Sequence, residues 1–159
     1  MISKTKKSLT ALCIIVVTLV GTLFYLGLPN KLPQRLPTKT VDIGGKLLTV
    51  QVAQKPHELQ KGLMYKKKLQ ENEGMLFIVD PTNSTEITMQ NTLIPLDIIW
   101  IAPQKYITDV TKNVPPCPAS ETYCPTYEPL ESNFSYILEV NAGWVDKNNI
   151  NVSDHITWD

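Results

Sequence analysis

The sequence predicts a mainly β domain preceded by one N-terminal transmembrane helix. Three features indicate this: an uncharged apolar run near the N-terminus, a Pro-rich stretch after it, and then short strand-like segments separated by turn residues. Short strands with such spacing are typical of a β-sandwich or a barrel. With 159 residues, the chain has room for one such domain and a tail.

The N-terminal segment indicates the compartment. Lys4, Lys6 and Lys7 precede residues 8–28, which carry no charge and are rich in Leu, Ile and Val. A helix that crosses a bilayer needs roughly 20 apolar residues, so this run is long enough. A cleaved signal peptide is the alternative, but its apolar region is shorter, roughly 7–15 residues, and ends in a small-residue site that is not evident here. We therefore expect a cytoplasmic tail at 1–7 and an anchor at 8–28.

The cysteines favour a domain on the extracytoplasmic side of the cell membrane. Basic residues flank the span on both sides, so they orient it only weakly, but a short tail before a signal-like segment favours this topology. Cys117 and Cys124 lie close together in a Pro-rich loop. A local disulfide there suits an oxidising compartment, and two free thiols are the alternative. His57 and His155 make no local ligand cluster with the cysteines, so no metal is expected.

A stalk and a β-rich domain follow the anchor. Residues 29–39 contain three prolines, which predict an extended, stiff stalk. The domain occupies residues 40–159. Its first two strands, 40–43 and 46–53, form a hairpin across Gly44-Gly45. Further strands are predicted at 74–79, 86–90, 93–101, 105–111, 134–140 and 155–158.

Two short helices interrupt the predicted strands. The first contains Pro56, which is suited to a first helical position, and ends at Gly62. The second spans 142–148. Both are too short to be stable alone, so they must pack against the sheet.

Four blocks of sequence carry a resemblance to a known family: Glu58–Met64, Glu73–Phe77, Met89–Asp97 and Tyr136–Trp144. The third, Met89-Gln90-Asn91-Thr92-Leu93-Ile94-Pro95-Leu96-Asp97, is the most specific. In these blocks the chain, from about Thr49 to its end, resembles the bacterial and archaeal family called domain of unknown function 192. The resemblance implies a small, jelly-roll-like β domain, often exported or anchored. It implies no reaction, because the family has none assigned.

The third block departs from the family pattern at two positions. Members commonly have a Trp-Met-Lys-Asn-Thr string, whereas this chain has Thr88 before Met89 and Gln90 after it. This chain therefore has no aromatic residue at the position of that tryptophan from which to build a pocket wall, and no lysine at the position of Gln90 to act as a counter-charge for Asp97.

Asp97 is the leading candidate site residue. It stands in a nearly all-apolar run that ends at Ile101, and burying an unpaired ionised carboxylate is costly. Both faces of a strand here are apolar, so we expect it to be covered on both sides. The structural interpretation, which we favour, has Asp97 accept hydrogen bonds from the Asn91-Thr92 turn or another loop. The functional interpretation makes it a general base or a ligand-binding carboxylate.

Asn91 and Thr92 have two interpretations as well. Either they form a turn whose side chains bond nearby backbone, or they line a pocket together with Asp97. The methionines Met64 and Met75, with Met89, are better explained as flexible core residues than as a soft-metal site.

The leading functional hypothesis is a membrane-anchored, extracytoplasmic accessory domain that binds a small molecule or an envelope component through Asn91, Thr92 and Asp97. The alternative is a hydrolase of envelope polymer or peptide that uses Asp97 with Glu58 or Glu73. A structural partner-docking module is a third hypothesis. No cofactor is expected, because no phosphate-binding glycine loop or nucleophile motif is present. Residues 31–159 carry 12 basic and 15 acidic side chains, which argues against nucleic-acid binding.

Overall fold

The computed structural model describes residues 35–80, 86–130 and 132–159. The predicted tail, the predicted anchor at 8–28 and most of the predicted stalk lie outside the described residues. Within these described ranges, no helix is both long and apolar enough to cross a membrane.

The described residues form short strands and two short helices, as predicted. The strands are β1 (Thr38–Ile43), β2 (Lys46–Ala53), β3 (Glu73–Ile78), β4 (Ile87–Thr88), β5 (Leu96–Ile101), β6 (Ile107–Val114), β7 (Thr126–Tyr127), β8 (Tyr136–Asn141) and β9 (Ile156–Trp158). The helices are α1 (Pro56–Lys61) and α2 (Trp144–Asn148). The mainly β class is therefore confirmed.

Seven strands form one curled sheet that resembles half a barrel, in the order β6-β5-β8-β3-β2-β1-β9. β4 and β7 pair separately. The predicted hairpin of β1 and β2 is confirmed, with Ile43 opposite Lys46. β2 and β3 are parallel, because α1 and the loop after it carry the chain back before β3 begins.

Apolar side chains cover both faces of the sheet. We call the face beneath Trp144 and Val145 the α2 face; its core includes Val50, Leu76, Ile99, Leu138 and Val140. The opposite α1 face includes Leu63, Met75, Phe77, Ile98, Trp100 and Ile137. Every residue of β5 is buried, so the expectation that this strand is covered on both sides is confirmed.

Several predicted boundaries were wrong; the strand predicted at 134–140, for example, is Tyr136–Asn141, and the second helix begins at Trp144 rather than at residue 142. β5 begins at Leu96 rather than at residue 93, since Pro95 just before it has no N–H to give to a sheet. β6 begins at Ile107 because Lys105 has a φ of 63°, which turns the chain. The strand predicted at 86–90 shortens to β4, and its partner β7 was not predicted at all.

Candidate ligand-binding site

Asp97 is fully buried on the α2 face and both of its carboxylate oxygens accept backbone hydrogen bonds. Oδ1 accepts from the backbone N–H of Asn113 at 2.8 Å. Oδ2 accepts from the backbone N–H of Val145 at 3.0 Å. The hydrogen bonds expected of a structural Asp97 are therefore present, but they come from β6 and α2 and not from the Asn91-Thr92 turn.

Each donor to Asp97 would otherwise lack a partner. Asn113 has a φ of 53° and lies where the pairing of β5 with β6 is irregular, between Leu96–Val114 and Ile98–Thr111. A bulge residue of this kind loses its sheet partner. Val145 lies in the first turn of α2, whose N-cap residue Gly143 has no side chain to cap it. The Asp97 carboxylate thus fixes a bulge and a helix start.

The Asn91-Thr92 turn exists but does not join Asp97 in one pocket. Asn91 has a φ of 60°, and its backbone oxygen accepts from the N–H of Tyr65 at 2.9 Å. Thr92 is 5% exposed and lines a cleft on the α1 side, whereas Asn91 lines a second cleft. Asp97 lines neither of these two clefts.

Glu58 stabilises the start of α1. Its Oε2 accepts from the backbone N–H groups of Gln54 and Lys55 at 3.1 and 3.0 Å. Chiefly through the Lys55 backbone bond, these donors lower the pKa of Glu58 to about 2. A carboxylate in this position caps the first turn of a helix, so the Glu58 side chain is held by backbone N–H groups.

Glu73 has different surroundings. Its Oε2 accepts from the backbone N–H of Gln70 at 3.1 Å and lies 4.0 Å from Lys66 Nζ. The partners of Glu73 are thus distinct from those of Glu58 and Asp97. Neither Glu58 nor Glu73 lines either of the two clefts.

The structure draws attention to a carboxylate that the sequence reasoning did not weigh, Glu139 on β8. It is 6% exposed. Its sheet neighbours are Met75 on β3 and Ile98 on β5, which belong to the α1-face core. Directly paired side chains on neighbouring strands lie side by side, so the Glu139 carboxylate sits between two apolar side chains.

No hydrogen bond or ion pair reaches the Glu139 carboxylate from any residue that the structure describes. Burial without such a partner penalises the charged form and raises the pKa of Glu139 to about 8. No side-chain oxygen in the described ranges is both completely enclosed and without a partner. The Glu139 carboxylate must therefore keep an opening, and that opening is the α1-side cleft that it lines.

This cleft, which we call the Glu139 cleft, has a volume of about 300 Å³. The end of α1 and the residues after it form one wall, Phe77 of β3 contributes to a second, and the segment from Glu86 to Thr92 contributes the third. The apolar lining residues are Leu59, Leu63, Met64, Phe77 and Ile87. The polar ones are Gln60, Lys61, Glu86, Thr88, Gln90, Thr92 and Glu139. The lining therefore combines apolar side chains with polar ones, and most of the polar ones are exposed at the rim. Small-molecule sites use such polar groups to fix the orientation of a ligand.

Two glycines allow the backbone to approach closely around this cleft. A Cβ on Gly62 would lie 3.3 Å from the ring of Phe77, so the absence of a side chain lets the end of α1 approach that wall. A Cβ on Gly74 would lie 2.8 Å from the backbone oxygen of Glu139. Gly74 therefore sets the spacing of β3 and β8 at the residue that carries the carboxylate.

The second cleft, of about 320 Å³, adjoins the disulfide loop and shares Thr88 and Gln90 with the Glu139 cleft. The predicted disulfide between Cys117 and Cys124 is confirmed, with the sulfurs 2.01 Å apart. Cys117 forms β-bridges with Gln90 and Thr92. The disulfide loop thus supports the segment that separates the two clefts.

Two of the three methionines considered for a metal site are core residues. Met75 and Met89 are 2% and 1% exposed within the α1-face core, and Met64 lines the Glu139 cleft. In the described ranges, no three His, Cys, Asp or Glu side chains come together as potential metal ligands.

The fold and the site together define a small, mainly β domain with a cleft that contains the buried carboxylate of Glu139. The profile of the family domain of unknown function 192, described as "Uncharacterized ACR", matches residues 39–158, so the chain belongs to that family. No curated protein matches the chain.

The solved structures that are similar to this chain include the following two. One is a proposed transcription regulator from Sinorhizobium meliloti 1021, with 27% identity, a TM-score of 0.63 and coverage of 79% of this chain and 96% of the other. The other is a protein of unknown function from Novosphingobium aromaticivorans, with 27% identity, a TM-score of 0.61 and coverage of 76% and 84%.

Proposed function

We propose that this protein is a small-molecule-binding domain whose ligand occupies the Glu139 cleft. The observation that carries the proposal is a buried carboxylate, without a side-chain partner in the described ranges, that opens into a cleft lined by apolar and polar side chains. Leaving a polar group buried and unpaired costs about 1–3 kcal/mol, and more for a charged group. A ligand that pairs with Glu139 would recover that free energy.

Binding has more support than hydrolysis. Hydrolysis of a glycoside or a peptide by carboxylates needs two groups that flank the reacting bond. The carboxylates of Glu58, Glu73 and Asp97 each have separate backbone partners, and Glu86 lies exposed at the rim of the Glu139 cleft.

We propose further that residues 8–28 anchor the domain and hold it outside the cytoplasm. The length and apolar character of the run support this, and a disulfide is the form that cysteines take in an oxidising compartment. Protease treatment of spheroplasts should degrade the domain in the membrane fraction. Protection of the domain until the cells are lysed would contradict this topology.

A role in transcription regulation through direct DNA binding has less support; the similar Sinorhizobium protein is described only as a proposed transcription regulator. The 12 basic and 15 acidic side chains of residues 31–159 give the domain no basic excess. Proteins that bind the phosphate backbone carry a clustered positive charge.

Thermal-shift measurements on the full-length chain with small amines, sugars, amides and carboxylic acids test the binding proposal. Thr88→Trp should abolish any shift, because the indole would fill the Glu139 cleft from an exposed wall position. Thr122→Trp is the matched control, since Thr122 lines only the second cleft. A panel without a single ligand, or a ligand whose shift survives Thr88→Trp, would overturn the proposal.

A further inference from the structure

We propose that the ligand of the Glu139 cleft is an organic cation, a primary ammonium or guanidinium group on a short apolar stem, and that Glu139 is its counter-ion. This inference rests on the proposed binding function and names the chemistry of the ligand.

The Glu139 carboxylate determines which ligand charge the cleft favours. An ionised carboxylate accepts hydrogen bonds and cannot donate them, and no donor in the described ranges reaches Glu139. When Glu139 is ionised, an anion there would meet a like charge next to the apolar side chains of Met75 and Ile98. A cation instead forms a charge-assisted hydrogen bond, which is shorter and stronger than a neutral one.

The walls of the cleft favour an organic cation over a metal ion. Ca²⁺ takes about 6–8 oxygen ligands and Mg²⁺ prefers about six. The polar lining groups besides Glu139 are rim residues and Thr92, and the remaining wall is apolar. Leu59, Leu63 and Ile87 would contact an alkyl stem, and the aromatic ring of Phe77 can attract a cation through its π face.

The volume limits the length of the stem. About 300 Å³ lies at the small end of the range for ligand sites. An amine with a few carbons fits, either as a free molecule or as the end of a lysine or arginine side chain. The amine or guanidinium is common to both sources.

Charged groups near Glu139 are few, so its ionisation should control binding. The charged residues that line the cleft besides Glu139 are Lys61 at the end of α1 and Glu86 just before β4, and both are exposed. β3 and β5 contribute only uncharged side chains beside Glu139. A cation binds the ionised form, so binding at neutral pH should release a proton to the solvent.

Isothermal titration calorimetry and NMR titration of the full-length chain with n-butylamine, 1-butanol and butyrate test this inference. These three probes have similar size and differ in charge. We expect n-butylamine to bind and shift the resonances of residues that line the Glu139 cleft. Its affinity should rise about tenfold per pH unit from pH 6 and level off above about pH 8, with proton release that depends on the buffer.

Two glutamate variants localise the effect. Glu139→Gln should lower the affinity for n-butylamine by about tenfold or more, because the amide keeps the shape and loses the charge. Glu128→Gln, at an exposed position that lines neither cleft, should change it by about twofold or less. A peptide with one lysine, N-acetyl-Ala-Lys-Ala-amide, separates the two sources: binding as tight as that of n-butylamine indicates a protein side chain, and weaker binding indicates a free amine.

The outcomes distinguish this inference from the proposed function. If 1-butanol or butyrate binds in the Glu139 cleft better than n-butylamine does, the cation inference is wrong and the binding function stands. If n-butylamine binds equally to wild type and Glu139→Gln, the inference is also wrong. If none of the probes shifts a residue of this cleft, both the inference and the proposed function are contradicted.

Discussion

Asp97 and Glu139 lie on the neighbouring antiparallel strands β5 and β8 and point to opposite faces of the sheet. Asp97 pairs with Val140, and the next pair in the antiparallel ladder joins Ile98 to Glu139. Because side chains alternate along a strand, this single step separates the two buried carboxylates. Asp97 receives two backbone donors on the α2 face, whereas Glu139 opens into the cleft on the α1 face. The first is a structural residue and the second is the candidate for binding.

The substitution Asp97→Asn should destabilise the domain by about 2–3 kcal/mol without removing binding in the Glu139 cleft. An amide has one oxygen, so it can satisfy the N–H of Asn113 or of Val145 but presents an N–H₂ group to the other donor. Urea unfolding measures the loss. The control is Asp146→Asn on the exposed start of α2, where Asp146 pairs with Lys112, and we expect about 1 kcal/mol or less there. Equal losses in both variants would show that the Asp97 bonds contribute little.

The stability of the domain should fall as the pH rises from about 5 to about 8. Burial raises the pKa of Glu139 from 4.5 to about 8. The contribution of this group to stability is therefore fully present below pH 4.5 and is lost as the pH rises through the folded-state pKa, because the unfolded chain ionises first. The full effect is at most about 5 kcal/mol, from 1.36 kcal/mol per pKa unit.

Glu139→Gln should remove most of this pH dependence and be more stable than wild type at pH 8. Thermal unfolding at several pH values measures the pH dependence of stability. Glu86→Gln is the control, and its stability should depend on pH as that of the wild type does. A Glu139→Gln variant whose stability still follows the wild-type curve would mean that Glu139 is not the responsible group.

Gly74→Ala should destabilise the domain by about 2–3 kcal/mol and weaken binding in the Glu139 cleft. Its Cβ would lie 2.8 Å from the backbone oxygen of Glu139, so β3 and β8 must separate. Gly44→Ala is the control: nothing lies within 4 Å of that Cβ, but a φ of 58° disfavours alanine, so we expect about 1 kcal/mol and unchanged binding. If Gly74→Ala is as stable as wild type, the sheet accommodates a methyl group at this contact.

Reduction of the disulfide between Cys117 and Cys124 should cost about 2–3 kcal/mol, as expected for a short closed loop. Cys117 forms backbone β-bridges with Gln90 and Thr92, which line the Glu139 cleft. Reduction should therefore also weaken binding in that cleft. Unfolding with and without dithiothreitol measures the first effect, and the Cys117→Ser/Cys124→Ser variant serves as its control. Two free thiols in protein isolated from its native membrane would contradict the expected compartment.

Local patterns in the sequence were sufficient to predict most strands. In β2, Leu48, Val50 and Val52 alternate with more polar residues, and this period of two predicts a strand whichever way the chain folds. The burial of Asp97 was predictable because its neighbours on both faces are apolar. The same signal is present at Glu139, between Leu138 and Val140, and could have identified it.

The partners of these carboxylates were not predictable from local patterns. Val145 is 48 residues away from Asp97 in the sequence, and the Glu139 cleft combines α1, β3, the segment before β5, and β8. Only the strand order brings these segments together, and the parallel pairing of β2 with β3 has no local signature. The family departures at Thr88 and Gln90 were visible in the sequence, but the structure was needed to show that both line the clefts.

An NMR titration of the Glu139 side-chain carboxyl carbon, assigned by its absence in Glu139→Gln, tests the central claim most directly. Burial without a partner raises the pKa of Glu139, and we expect a midpoint of about 8 in the free protein. Saturation with n-butylamine should lower this midpoint, because a bound cation favours the ionised form. The ordinary midpoint for a glutamate is near 4.5. A midpoint near that value that does not change with n-butylamine would contradict the claim that Glu139 is desolvated and binds a cationic ligand.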